Sequence, residues 1–203
     1  ILNRTAYSLL VTGIHSNNGI RANVSLSIYN SYVLPRVFYG LDSLVLPNYL
    51  TKKLEVAHRK FLRSFQSLPD SVCSSVIYLP LGALPIEAEI HLKKLALLSS
   101  IIRSNNETMI GLCRRQIAVK KFASKSWFVE MEKLLMMNGL PDVRSLLEGD
   151  MSKNSFKSMV HKSVHKFWTE KLQADCEEKF ITKFCDSTVR SRNRRYVPLF
   201  VCV

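Results

Sequence analysis

The stretch from residue 48 to residue 66 constrains the fold of this chain more than any other. At 100° per residue, Leu50, Leu54, Ala57, Phe61 and Phe65 fall within an arc of about 80°. Lys52, Arg59, Arg63 and Gln66 fall on the opposite side, within an arc of about 60°. A strand, with its period of two, would scatter both sets over two faces. The pattern therefore predicts a helix with one face for a core and the other presenting a line of cations. Pro69 is expected to end it.

The same reasoning extends along the chain. Ala6 to Val11 is a short apolar stretch, followed by a turn-rich loop from Gly13 to Gly19 in which Asn-Asn-Gly readily takes positive φ. Ser25 to Val33 reads as a helix that Pro35 should kink or end, with Gly40 soon after. Leu79 to Pro85 is a rigid apolar connector. A helix begins at Pro85 with Glu87 and Glu89 in its first turn, where carboxylates suit the helix dipole, and reaches about Arg103. Its apolar positions include Ile86, Ile90, Leu97 and Ile101.

Shorter helices are expected over 107–121, 126–138 and 141–148, the second with Ser126 as N-cap and Gly139 as stop. A long one from Ser152 to about Phe184 sets Phe156, Val160, Phe167 and Trp168 against Lys162, Lys166 and Gln173. The predicted fold is all-α, an irregular bundle of about six to eight helices joined by loops containing proline and glycine. It divides into a helical domain over 1–104, a second helical region over 105–186, and an irregular basic and apolar end over 187–203.

Charge says what kind of partner such a bundle would meet. Lysine and arginine number 29 against 16 acidic residues, a formal charge of +13. Residues 1–100 carry ten basic and five acidic side chains, and residues 101–203 carry nineteen and eleven. The excess is spread over both halves, as basic faces on folded helices would spread it. Nucleic acid is the expected partner, with no membrane and no small-molecule ligand. The five cysteines are odd in number and scattered, which points to reduced thiols in the nucleus or cytoplasm. The chain begins at Ile1, so a fragment of a longer reading frame is expected.

Chemistry-bearing motifs are missing. There is no phosphate-binding glycine loop, nucleophile elbow or HExxH sequence. Polymerase chemistry needs clustered carboxylates to hold two metal ions. Tyr39-Gly-Leu-Asp42 is followed by Ser43, so no paired carboxylate arises there. No catalytic residue, no metal ligand set and no cofactor are expected. His161 and His165, four apart on a helix, could reach one metal, but the spacing to Cys176 and Cys185 matches no compact Cys/His module. They read as ordinary solvent-facing histidines, and the Phe167-Trp168 pair reads as core.

Several blocks run in a recognisable order: Arg4-Thr-Ala-Tyr7, Gly13-x-His15-x-x-x-Gly19, and Tyr29-Asn-Ser-Tyr-Val-Leu-Pro-Arg-Val-Phe-Tyr-Gly40. His58-Arg-Lys-Phe-Leu-Arg63, Gln66-Ser-Leu-Pro69 and Val76-Ile-Tyr78-x-x-x-Gly82-Ala-Leu-Pro-Ile-Glu-Ala-Glu89 follow. This resembles the region just after the palm of non-LTR (LINE-type) retrotransposon reverse transcriptases, over roughly residues 1–104 and more loosely to Lys171. The resemblance implies a thumb and post-thumb fragment that grips a template–primer duplex or RNA–DNA hybrid beside a palm and fingers lying outside this chain. In the parent enzyme, an RNA-directed DNA polymerase, that palm would hold Mg2+. The segment itself is expected to be inactive alone.

By position, the resemblance makes the helix around residues 58–63 a thumb helix and favours Arg59 and Arg63 as duplex contacts. With Lys60 from the same block, and Lys52 and Gln66 from the helical-face argument, these are the candidate nucleic-acid-binding residues. The alternative is a stand-alone helical interaction or structural protein whose basic faces are merely solvated.

Overall fold

The computed structural model describes residues 2–11, 20–104, 106–119, 124–149 and 152–190. Loop 13–19 and the end beyond residue 190 lie outside them. The chain is all-α, with no strand among the described residues.

Helix α1 spans Leu2–Val11. Helix α2 (Ala22–Ile28) runs through one π-helical turn, Tyr29–Val33, directly into α3 (Leu34–Phe38). Of the two outcomes expected at Pro35, a kink or an end, the end does not occur there. Proline removes one N–H and crowds the preceding turn. The π turn, in which Leu34 N–H donates to the Tyr29 carbonyl, resets the hydrogen-bond register just before it. The break comes four residues later, where Tyr39 turns extended and Gly40 takes φ +76°.

Helix α4, Asn48–Gln66, matches the predicted span. It closes at Ser67, which adopts the left-handed conformation (φ 50°), and Leu68 N–H returns to the Arg63 carbonyl at 3.0 Å. Helix α5 (Ser74–Tyr78) passes through a 3-10 turn at Leu79–Leu81 and a left-handed Gly82 into α6 (Ile86–Ile102). Then follow α7 (Glu107–Val119), α8 (Trp127–Met137), α9 (Val143–Glu148) and the 38-residue α10 (Lys153–Arg190). Ser126 does precede α8, but its side chain makes no capping hydrogen bond; side-chain caps are made by Asn106 before α7, by Ser152 before α10, and before α9 by Asp142, which accepts from Ser145 N–H at 3.1 Å.

Two apolar cores result. The first gathers Tyr29, Val33, Phe38, Phe61, Leu62 and Ile77 from α2 to α5. The second gathers Leu98, Cys113, Met131, Leu135, Val143 and Phe156 from α6 to α10. Each large side chain withdrawn from water contributes about 1.5–3 kcal/mol before entropy is counted. Helix α6 belongs to both, giving Ile86 and Ile90 to the first and Ala88, Leu95 and Leu98 to the second. Helix α10 lies along it, with Phe156, Val160, Val164 and Trp168 in the second core and Leu172 reaching the first. Helix α6 thus packs on both sides and has no solvent stripe of the usual width.

Candidate nucleic-acid interface

Helix α4 turns out to have three sides. Its core side is broader than the apolar residues alone suggested, because His58 and Leu62 are buried beside Phe61 and Phe65, while Leu50 lies out in solvent. A second side is covered by α5 and the turn before it. The third is open.

The core side is tied by polar groups. The Tyr29 hydroxyl lies 2.9 Å from His58 Nδ1, and His58 Nε2 lies 3.1 Å from the Leu84 carbonyl. Nε2 must carry the proton to serve that carbonyl, which leaves Nδ1 to accept from Tyr29. Burial drives His58 down to about 4, so the ring stays neutral. The Tyr29 and Tyr78 rings flank it at centroid distances of 5.5 and 5.9 Å. One turn earlier, Glu55 accepts from the Tyr78 hydroxyl and, at 2.9 Å, from Ile86 N–H. It thereby satisfies the first amide of α6. Burial raises the Glu55 carboxyl above its ordinary range despite both donors and the nearby Arg59.

The covered side holds three of the five predicted residues. Arg59 donates to Ser74 Oγ at 2.6 Å, and its Nε lies 3.9 Å from Glu55. Arg63 donates to the Val72 carbonyl at 3.1 Å. Gln66 donates to the Leu62 and Ile77 carbonyls at 3.2 and 2.9 Å. All three are half-buried, so the line of cations expected opposite the core is not one solvated face. Instead these side chains fasten α5 to α4. The sequence signal for this is the short interval between Pro69 and Ser74, which leaves α5 little room to move away from α4.

Lys52 and Lys60, the other two, are exposed, and Lys53 is exposed with them. Helical geometry sets Lys53 and Lys60 two turns apart, about 10 Å along the axis, on one open strip. Aromatic rings lie against it. Lys53 Nζ stands 5.8 Å from the Tyr49 ring centroid, and Lys60 Nζ stands 5.7 Å from that of Tyr7 on α1. Tyr7 in turn packs edge-on against Phe61 at 5.4 Å, so the strip rests on the first core. A hydrogen bond to Tyr7 is the main influence raising Lys60 above its ordinary value. Among the described residues none of these three lysines is ion-paired. Lys53 and the two tyrosines were missed because helical phase measured from Leu54 and Phe61 says nothing about what α5 covers.

Elsewhere, an open cleft of about 460 Å3 between α2 and the 3-10 turn is lined by Asn23, Ser27, Asn30, Ser31 and apolar neighbours, with no ionisable side chain. No cluster of three or more potential metal ligands occurs among the described residues. No described helix is long and apolar enough to cross a membrane. Compared with known proteins, the chain matches no family model, no curated protein and no solved structure.

Proposed function

We propose that this chain is a non-catalytic helical segment of a reverse transcriptase of the non-LTR type, and that it holds a nucleic-acid duplex against the open strip of α4. One observation carries the reading. Lys52, Lys53 and Lys60 are exposed on a firmly anchored helix and form no ion pair among the described residues, in a chain of net charge +13. Cations so placed bind successive phosphates by releasing counterions and do not read sequence. Within this reading the five predicted residues separate by role. Lys52 and Lys60 meet phosphate, whereas Arg59, Arg63 and Gln66 hold the helix in position and lend charge from behind.

The test is binding to an RNA–DNA hybrid across a salt series. The Lys52→Glu/Lys53→Glu/Lys60→Glu variant should bind far more weakly, and its log–log salt slope should fall by roughly 0.9 for each phosphate no longer neutralised. Lys162→Glu/Lys166→Glu on α10 is the control and should change little beyond net charge. Equal binding by the α4 variant and the parent would reduce the strip to a solvated face. The chain alone should add no nucleotide to a primed template with Mg2+, and extension by a pure preparation would refute its non-catalytic character.

A second reading, a helical interaction protein, is favoured by one feature. From the end of α3 through the first turn of α4, Tyr39, Leu44, Val45, Tyr49 and Leu50 are all exposed, Tyr39 at 91% of its free surface. The segment is nonetheless held, since Trp127 Nε1 on α8 donates to the Asp42 carbonyl at 2.7 Å. Ordered apolar residues in water suit a protein partner. Binding to hybrid that ignores the lysines, together with a partner that no longer binds after Tyr39→Ser/Leu44→Ser substitution, would favour it.

A further inference from the structure

On the outer face of α10, His161 and His165 lie one helical turn apart with ring centroids 4.3 Å from each other and ring planes 33° apart. His161 is exposed and His165 half-buried. The turn that carries them is fixed from behind. Val160, Val164 and Trp168 are buried in the second core, and Ser163 Oγ donates to the Asn138 carbonyl after α8. The two rings are therefore held close by a backbone that is already ordered, and bringing them together costs little further entropy.

We infer that His161 and His165 form an open two-imidazole site for a late first-row transition ion, Cu2+ before Ni2+ or Zn2+. Histidines four apart on a helix present ring nitrogens to a common point, and imidazole suits these ions, with Cu2+ bound most tightly. Burial, and then the adjacent His161, lower His165 below its ordinary value. No third histidine, cysteine or carboxylate joins them among the described residues. The remaining coordination positions belong to water, and the ion is exchangeable. It is no part of the folding energy, unlike a closed four-ligand zinc site. The site stands apart from the α4 lysines and does not depend on the nucleic-acid reading.

The experiment is calorimetric titration of the whole, tag-free chain with Cu2+ and Ni2+ at pH 7.5. One ion per chain is expected, with weaker binding at pH 5.5, where protons compete for the rings. His161→Gln and His165→Gln should each weaken binding roughly tenfold or more, because a second tethered ligand acts at high effective concentration. Circular dichroism should be the same for both variants and for the parent in EDTA, since the helix forms without metal. A Cys73→Ser/Cys176→Ser variant should bind like the parent. Absence of binding, binding unchanged in His161→Gln, binding abolished in the cysteine variant, or helicity lost in EDTA would each overturn the site.

Discussion

Around Phe61 the first core is threaded by hydrogen bonds: Tyr29 to His58, His58 to the Leu84 carbonyl, and Tyr78 and Ile86 N–H to Glu55. Around Leu98 the second core is almost wholly aliphatic and aromatic. Its buried charge is Lys94, held 2.7 Å from Glu130 across α6 and α8, with His91, Ser99 and Asn138 as the other buried polar side chains of that half. The first arrangement gives Tyr29, His58 and Tyr78 side-chain or carbonyl partners that also fix the angles between α2, α4 and α6. The second rests on one charge pair, which costs much desolvation for its attraction. Specific geometry is thus concentrated where the lysine strip must be held, and the other half depends on packing.

Volume loss should hit the polar-threaded core hardest. Phe61→Ala should cost about 3–5 kcal/mol in urea unfolding, because the ring meets Tyr7, Tyr29 and the α4 backbone and the site cannot collapse. A loss well under 1 kcal/mol would mean that this core is loosely packed.

In the other half, Glu130→Ala should cost about 3 kcal/mol by leaving the Lys94 ammonium buried and unpaired. The double change Lys94→Met/Glu130→Leu should recover most of that stability or exceed the parent's. If the double variant is as unstable as the single one, the pair does more than fill space and the contrast between the cores fails.

Acid tests both halves at once. His58 in the first and His91 on α6 are each held near 4 by burial. The folded protein keeps them neutral while the unfolded chain takes up protons below about 6.5. Their contribution is full above pH 6.5, falls as pH drops towards 4, and levels off below that, by up to about 3 kcal/mol for each ring. Glu55 and Glu89, raised by burial, act with the opposite sign, favouring the fold when protonated and losing that contribution as pH rises through their folded values. Urea unfolding at pH 7, 6, 5 and 4 should show a net fall, and His91→Phe should keep the part due to His58. Flat stability across that range would contradict the neutral, buried state of both rings.

The smallest effects separate fastening side chains from free ones. Arg59→Ala and Arg63→Ala should each cost about 1 kcal/mol by removing the bonds to Ser74 and the Val72 carbonyl. Lys52→Ala and Lys60→Ala should stay within about 0.5 kcal/mol. Equal costs for all four would erase the distinction between the covered and open sides of α4.

Much of this was legible in one dimension. Helical periodicity placed α4 at the span observed, and the long C-terminal helix carries Phe156, Val160 and Trp168 inward as its spacing required. Glycine marked the stop after α8, because only a residue tolerant of φ +62° fits there cheaply. These signals are local, set by the backbone and by the next turn of the same helix. The π turn before Pro35 was not legible, since its register depends on where Tyr29 and Val33 must point to fill the first core.

The amino-acid order by itself determined that the chain is helical, basic in both halves and without an adjacent pair of aspartates. Tertiary structure alone decided which cations are available. Helical phase put Arg59 and Arg63 with Lys52, yet α5 and the turn before it fold back over that side and engage both guanidinium groups, while Lys53 and Lys60 stay open beside Tyr49 and Tyr7. It also decided that His58, inside a basic block, is a neutral core residue. The physical reason is the same in each case. A helix fixes the direction in which a side chain leaves its axis, but water, another helix or a hydrogen-bond partner waits there only once segments distant in sequence have packed.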